Sequence, residues 1–180
     1  MSGRDVPPEG GQAGRTSAAP GPANDFLAGH VRLLRDSLRR WTGRDLIAAA
    51  VSEQDAARWL YHAPCAVVSH NADPDPVFTY GNLTALRLFE MSWEEFTRLP
   101  SRLSAEPMNQ QERARLLEHV TRHGWAGSYS GVRISASGRR FLIRNATVWN
   151  VLDGEGRHRG QAALLDDWVT LDAERPPHPR

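Results

Sequence analysis

The sequence predicts an α+β fold, a five-stranded antiparallel sheet whose helices cluster on one face, preceded by N-terminal helices. Two observations predict this fold. Short apolar segments bounded by turn residues fall into two groups, two before a helical block and three after it, giving the order β-β-α-α-α-β-β-β. Cap-like residues at Asn82, Ser92 and Asn109 mark three helix starts inside that block. Packing the helices on one side of such a sheet is the economical arrangement.

The composition restricts the chemistry that is open to the chain. Its 180 residues suit one domain with appendages, and the formal charge of +1 gives no general attraction to nucleic acid or anionic membranes. All 22 basic residues are arginine. Lysine general bases, Schiff bases and phosphate-loop lysines are therefore excluded. The single cysteine excludes an internal disulfide and a multi-cysteine zinc site.

Four segments follow from the distribution of apolar residues. We expect a disordered tail at 1–24, an N-terminal helical segment at 25–62, the sheet domain at 63–170 and a second disordered tail at 171–180, because both tails are rich in Pro and poor in residues to bury. There is no apolar run of membrane-spanning length and no apolar signal core near the start. We therefore expect a soluble, cytoplasmic protein without a membrane partner.

The N-terminal helical segment carries a heptad seam. Its apolar residues follow one another at spacings of four, three, four and three: Leu27, Val31, Leu34, Leu38 and Trp41. The seam predicts either a homodimer interface or a helix lying on the outer face of its own sheet. Further helical stretches are expected at 46–50 and from Ser52 to Leu60 or Tyr61.

The sheet domain begins with a predicted hairpin. CAVVSH and PVFTYG read as strands joined by NADPDP. Phe78 and Tyr80 are two residues apart and are expected on one face. Helices capped by Asn82, by the Ser92–Glu95 capping box and by the Asn109–Glu112 pair should close over that face. Three strands follow, at about 125–135, 139–152 and 159–168.

These phrases resemble a known family. Tyr80-Gly81-Asn82, Ser92-Trp93-Glu94-Glu95-Phe96, Gly138-Arg139-Arg140-Phe141 and the closing Asp167-Trp168-Val169-Thr170 are similar to the PAS pattern. More narrowly, SHNADPDPVFTYGNLTALRLFEMSWEEFTRLPSRLSAEP with YSGVRISASGRRFLIRNATVWN resembles the MEKHLA domain. That PAS-like family occurs as stand-alone bacterial proteins and at the C-terminus of plant class III homeodomain–leucine-zipper factors, and the match spans roughly residues 26 to 168.

The resemblance implies a PAS-like fold and a non-enzymatic sensory or regulatory module of the stand-alone bacterial type. It implies no defined ligand. Many PAS domains relay a signal through a C-terminal helix into an output domain, whereas this sequence ends about ten residues after the closing Asp-Trp-Val-Thr phrase. Output is therefore expected through the surface or the N-terminal helices, to a protein partner or a second copy of the chain.

A ligand pocket is predicted where the aromatic residues of this fold converge. The candidates are the residues that strands and helices should bring around one cup: Phe78, Tyr80, Phe89, Trp93, Phe96, Tyr129, Arg133, Phe141 and Asn145. Arg133 and Asn145 would orient a small apolar or aromatic ligand. The alternative is that the aromatic rings fill the cup as ordinary core, which makes the chain a ligand-free protein-interaction domain.

The sequence argues against the usual PAS cofactors and against a metal. Cys65 lies in a strand without a neighbouring base, which is typical of a structural cysteine, and a light-sensing flavin domain would need an Asn-Cys-Arg-Phe motif that is absent here. His119 and His123, the haem candidates, are explained by the helix dipole. The spacing of the metal candidates matches no known set of ligands, and Asp-Pro pairs are ordinary in turns. These candidates are His62, His70, Asp73 and Asp75.

Two further functions remain as rivals. One is a cone-shaped α+β lyase or isomerase in which His70 pairs with Asp73 or Asp167, although such enzymes place their helices before the sheet. The other is nucleic-acid binding through a basic stripe on the first helix: Arg32, Arg35, Arg39, Arg40 and Arg44. A solvated helix face explains the stripe better, because the overall charge is balanced.

Overall fold

The structure is a computed structural model that describes residues 18–171. The helices are α1 (Ala28–Thr42), α2 (Ala56–His62), α3 (Leu83–Phe89), α4 (Trp93–Phe96) and α5 (Pro107–His123), with short 3-10 segments at Pro22–Leu27 and Ser101–Ser104. The strands are β1 (Ala66–His70), β2 (Phe78–Gly81), β3 (Trp125–Ile134), β4 (Arg140–Leu152), β5 (His158–Leu165) and β6 (Asp167–Thr170).

The predicted α+β fold is confirmed. The strands form one antiparallel sheet in the order β2-β1-β5-β4-β3, and β6 pairs with β4. β6 extends β5 along the same edge of β4, because the pairs Thr147–Leu164 and Arg144–Asp167 belong to one register. The sheet is therefore the predicted five-stranded one, with its last strand interrupted at Asp166.

Helices cover both faces of the sheet: the predicted block of α3, α4 and α5 lies on one face, and α1 lies on the other, which the sequence left as one of two alternatives. Adjacent residues of β4 show this, since neighbours on a strand point to opposite faces. The Trp149 indole Nε1 donates to Leu34 O of α1 at 3.2 Å, and the Asn150 side-chain amide donates to Val120 O of α5 at 2.9 Å. We call the side under α1 the α1 face and the side under α3, α4 and α5 the α5 face.

The heptad seam is used inside the chain. Val31, Leu34 and Leu38 are almost completely buried in the hydrophobic core that α1 shares with the sheet. Trp41 Nε1 donates to Asn150 O at 2.9 Å, and Leu27 lies before α1 with a left-handed φ of 58°. The seam residues therefore cover the outer face of their own sheet, which is the second of the two alternatives. The predicted dimer contact cannot use Val31, Leu34 and Leu38, because they are buried within one chain.

A buried arginine of α1 binds two carboxylates from the segment that follows the helix. Arg35 is 4% exposed and forms paired hydrogen bonds with Asp45 and Glu53. Burial alone would raise the pKa of Asp45. Several hydrogen bonds, the one from Arg35 foremost, together outweigh burial and lower that pKa to about 2. Residues 46–50 form bends and a turn rather than the predicted helix, and this irregular path brings Asp45 and Glu53 to one guanidinium. With Arg39 also bound to Asp45, the basic stripe is partly neutralised.

Two of the three predicted helix caps are confirmed. The Asn82 Oδ1 accepts from Ala85 N, and Ser92 and Glu95 form the predicted capping box. The third cap is wrong. Helix α5 begins at Pro107, and Asn109 lies within its first turn, because proline suits the first helical position.

The tail predictions fall mostly outside the described residues. Residues 1–17 and 172–180 are not described. Structure is already present before residue 24, since the Asn24 side chain accepts from Gly21 N at 2.9 Å and donates to Ala19 O at 2.9 Å. At the other end Leu171 N donates to Arg140 O at 2.9 Å.

Candidate functional site

A cavity of about 50 Å³ lies between the α5 face of the sheet and α5. That volume is several times the roughly 10–15 Å³ that one water needs. Most of the lining is apolar and comes from the strands and from α5: Val68, Phe78, Phe89, Leu116, Leu117, Ile143, Ala146, Val148, Ala162, Ala163 and Leu165. The other seven lining residues carry polar groups: Ser69, His70, Ser104, Arg113, Tyr129, Arg133 and Gln161.

A bulge in β4 determines which of its residues reach the cavity. Asn145 has a left-handed φ of 55° and sits opposite the interruption at Asp166. An inserted residue of this kind shifts the alternation of side chains by one. Ile143 before the bulge and Ala146 and Val148 after it consequently line the same cavity.

Four of the nine predicted pocket residues line the cavity. They are Phe78, Phe89, Tyr129 and Arg133. Tyr80, Trp93, Phe96 and Phe141 are buried in the core instead. Asn145 is exposed to solvent, because it is the inserted residue of the bulge.

Phe78 and Tyr80 point to opposite faces, contrary to the expectation from their spacing. A bulge in β2 pairs Phe78 with His70 but Tyr80 with Ser69, so the intervening Thr79 is the extra residue. Phe78 stacks on Phe96 at 4.3 Å between ring centroids on the α5 face. Tyr80 stacks on His30 of α1 at 5.5 Å.

Arg133 is held in the cavity wall by its own strand. It is 7% exposed; its guanidinium donates to Val132 O at 2.9 Å and to the Tyr129 hydroxyl at 3.2 Å, and lies 5.5 Å from the centre of the Tyr129 ring. Gly131 between them makes room for this pair. A Cβ at Gly131 would come within 2.1 Å of the Tyr129 hydroxyl oxygen.

Arg113 reaches the same cavity from α5. It is 8% exposed as a whole residue; within residues 18–171 its guanidinium has neither a hydrogen bond nor an ion pair, and its nitrogen atoms keep some contact with solvent. Burial, followed by the positive charge of Arg133, lowers the pKa of Arg113 to about 10. Two buried cations therefore face one apolar cavity, an arrangement that costs free energy without an anionic partner.

The acidic residues around the cavity are engaged elsewhere. Glu106, just before α5, pairs with Arg140 at 2.9 Å, and Glu90 binds Ser135 and Arg139. No Asp or Glu from the described part of the chain lines the cavity. The positive charge of the two arginines is thus uncompensated by any carboxylate in the cavity wall.

His70 lines the cavity as a neutral imidazole. Its Nδ1 lies 2.8 Å from Asn71 O, so Nδ1 must donate, and Nε2 is buried without a hydrogen-bond partner. Burial, and to a lesser extent the charges of Arg113 and His158, lowers the pKa of His70 to about 4 against the favourable bond to Asn71 O. The ring therefore presents a lone pair and no charge near neutral pH.

The His/Asp pair of the rival enzyme is not assembled. Asp73 accepts from the Asn71 side chain at 2.7 Å, and Asp167 pairs with Arg144 across β4 and β6 at 2.9 Å. Neither carboxylate contacts His70, whose ring binds Asn71 O. Of the metal candidates, Asp75 pairs with Arg102. Residues 18–171 contain no group of three or more His, Cys, Asp or Glu that could hold a metal ion.

The cavity does not fit the cofactors that PAS-like folds are known to hold. Cys65 is half-buried outside the cavity lining, and burial raises the pKa of its thiol. A volume of about 50 Å³ is also well below the roughly 300 to 1,000 Å³ of ordinary ligand pockets, too little for a flavin ring system. His119 and His123 stack on each other on the exposed side of α5, away from the cavity where haem would bind.

The sequence contained a signal for Arg113 that an apolar criterion misses. Leu116, Leu117 and Val120 were expected to face inward, and Arg113 precedes them by three, four and seven residues on the same helical stripe. The sequence suggested His70 as a metal candidate or as half of a catalytic pair, and not as part of a pocket wall. Gln161, which binds Leu117 O at 2.9 Å, had no sequence signal.

Comparisons with known proteins identify relatives of this chain in sequence and in fold. The sequence matches the MEKHLA domain over residues 28–170. A homeobox-leucine zipper protein, HOX29 of Oryza sativa subsp. japonica, is 27% identical over 158 residues, which cover 86% of this chain and 18% of that protein. The chain thus spans about a fifth of the length of this relative.

Solved structures of PAS and light-oxygen-voltage domains share the fold. The PAS domain of a protein from Colwellia psychrerythraea matches with a TM-score of 0.54 and 13% identity, covering 62% of this chain and 92% of that one. The light-state dimer of the fungal blue-light photoreceptor Vivid matches with a TM-score of 0.54 and 13% identity, covering 76% and 93%. No helix within residues 18–171 has the length and apolar character that crossing a membrane requires.

Proposed function

The chain belongs to the MEKHLA domain family and has its PAS-like fold, and we propose that it is a non-enzymatic sensory or regulatory module that binds a small molecule in the cavity beneath α5. The observation that carries the proposal is the cavity itself, since protein interiors are normally close-packed. Buried arginines, an unpartnered imidazole nitrogen and an apolar wall together make a site that folding alone does not require.

The attachment of α5 suggests how binding is communicated. Its C-terminal end is fastened to the sheet, because Asn150 binds Val120 O and Gln161 binds Leu117 O. Its first half holds Arg113 over the cavity and otherwise exposes most of its side chains. A ligand that draws Arg113 inward would move this first half against the fixed second half. The exposed side of α5 is therefore the proposed output surface for a protein partner.

Binding is tested by an NMR fragment screen with a cavity-filling variant. Ala163→Leu adds three carbons to a residue that lines the cavity, and Ala114→Leu adds the same atoms on the exposed side of α5. Fragments, neutral and charged, should shift amide signals of cavity residues in the wild type and in Ala114→Leu but not in Ala163→Leu. If no fragment of any charge binds the cavity, the proposal is wrong and the ligand-free interaction domain takes its place.

Native mass spectrometry of freshly purified protein examines the same proposal independently. A co-purified small molecule, lost from Ala163→Leu, would identify the ligand and report the subunit count in one measurement. Homodimerisation and a cytoplasmic location stay predictions. If two chains pair, the contact must use surfaces other than the buried seam residues Val31, Leu34 and Leu38.

A further inference from the structure

We propose that the ligand of this cavity is a small monocarboxylate with a short apolar body, whose carboxylate is bound between Arg113 and Arg133. The inference rests on the proposed function and specifies the class of molecule that the cavity takes.

Charge is the first argument. Arg113 and Arg133, each more than nine-tenths buried as a whole residue, line one cavity, and no carboxylate of residues 18–171 lines it. A buried charge without a partner is strongly unfavourable. A single anion between the two groups would compensate both of them. Arginine presents planar pairs of N–H donors that match a carboxylate, so bidentate binding is available.

The remaining donors of each arginine are the second argument. Arg133 uses its Nη1 and Nη2 groups for Val132 O and the Tyr129 hydroxyl, which fix its position but leave other N–H groups unused. Arg113 has no hydrogen bond or ion pair within residues 18–171. One guanidinium is thus fixed in the strand, and the other, on α5, is available to close on the ligand.

The lining decides between a carboxylate and a phosphate. Apart from the polar residues already described, the wall consists of aliphatic and aromatic side chains such as Val148, Leu116 and Phe89. A ligand with an apolar body fits this wall, whereas a phosphate would leave its other oxygens facing hydrocarbon. The small volume limits the body to a few carbons.

The first test compares two probes that differ only in charge. Butyrate and its neutral analogue butyramide are titrated into ¹⁵N-labelled protein at pH 7, with acetate as a shorter carboxylate and inorganic phosphate as a different anion. Butyrate should shift the amide signals around Arg113, Arg133 and Ala146 and bind at least tenfold more tightly than butyramide. Equal binding of both probes, or binding of phosphate without either carboxylate, would overturn the proposal.

The second test removes one charge at a time. Arg113→Met and Arg133→Met keep an apolar side chain of similar length, and Arg115→Met is the matched control on the exposed side of α5. Each cavity variant should weaken butyrate at least tenfold, and the control should not change it. Unchanged binding in Arg113→Met and Arg133→Met contradicts the proposal.

Stability gives a readout that does not depend on measuring affinity. Arg113→Met removes an unpaired buried charge, so the ligand-free variant should melt at a higher temperature than the wild type. Butyrate should raise the melting temperature of the wild type but not that of the variant. If Arg113→Met does not fold, Arg113→Lys keeps the charge but loses the planar donor pair, and it should bind butyrate several-fold more weakly.

The outcomes separate the two proposals. If neutral fragments occupy the cavity while no carboxylate does, the carboxylate inference fails and the sensory function stands. If no fragment of either kind binds, both fail.

Discussion

The two faces of the sheet are filled in different ways. On the α1 face Trp149 is completely buried, its indole bonded to Leu34 O, and Ser37 bonds the backbone of Leu152 through its hydroxyl group. On the α5 face the neighbouring positions are held by smaller residues, Ala146 and Val148, and a cavity remains beside them. One strand thus contributes a large, fully buried side chain to one face and small, cavity-lining side chains to the other.

The difference shows how a small domain can keep a cavity and still fold. The α1 face stabilises the sheet by burial and by side-chain hydrogen bonds to the backbone. The α5 face can then carry unpaired arginines, whose cost the other face offsets. Removing groups from the two faces should therefore have unequal effects.

The largest expected effect follows from truncating equivalent leucines. Leu34→Ala removes a fully buried side chain from the α1 face and should lower the free energy of unfolding by about 3 kcal/mol. Leu117→Ala, next to the cavity, should cost about 1 kcal/mol, because its side chain is only half-buried and already borders empty space. Urea denaturation measures both. Equal losses would mean that the two faces contribute alike.

The second effect concerns Asn82, which follows β2 and links α2, β1 and α3 through its side chain. Its side chain accepts from Val67 N and Ala85 N and donates to Leu60 O and Cys65 O. Asn82→Ala should cost about 2 to 3 kcal/mol, because several buried backbone groups lose partners.

Ser92→Ala provides the comparison for this variant. It removes only an exposed cap on the α5 face and should cost about 1 kcal/mol. Thermal and urea melts of the two variants should therefore differ clearly. A loss at Asn82 as small as the loss at Ser92 would show that Asn82 acts as a cap alone.

The third effect is a pH dependence shared by the two faces. Burial lowers the pKa of His30 on the α1 face and of His70 on the α5 face to about 4, below the usual 6.5. As pH falls from 6.5, the unfolded chain binds protons that the folded chain does not, so stability decreases until about pH 4. Each histidine should contribute about 1 kcal/mol per pH unit in that window.

Single variants assign this slope to the faces. His30→Gln and His70→Gln, melted between pH 7 and pH 4.5, should each remove about half of the slope, and the double variant should remove most of it. A slope that persists in the double variant would place its origin in carboxylates instead.

The smallest expected effect is at Cys65, which lies outside the cavity lining. Burial raises the pKa of its thiol, so labelling by a thiol reagent should be slow in the native protein and fast after unfolding. Cys65→Ala should leave butyrate binding unchanged. Rapid native labelling would mark an accessible, reactive thiol.

Residue type and spacing predicted the fold well and the site only in part. The order of strands and helices along the chain, the Asn82 cap and the Ser92–Glu95 box followed from local patterns, since caps and hairpins are encoded over a few residues. The covering of the sheet by α1 depended on which surface the seam would meet, which a heptad spacing alone does not decide.

The errors in the site arose mainly at irregular backbone. The bulge in β2 turned Tyr80 away from Phe78, and the bulge at Asn145 placed that residue in solvent. A bulge is not visible in a period-2 pattern. The predicted face of every residue that follows a bulge on its strand is therefore unreliable. Arg113 was missed because a charged residue was not considered part of an inward-facing stripe.

The bulge at Asn145 constrains how this sheet could gain or lose residues. Asn145 is an extra residue in β4, and Asp166 is an extra residue opposite it, so the pairs on either side keep one register. Deleting one of the two leaves its counterpart without a position, and a slip by one residue would turn a buried face outward. Deleting both would leave a regular pair of strands with every face preserved. Insertions and deletions at this point of the chain should therefore be tolerated in pairs and rejected singly.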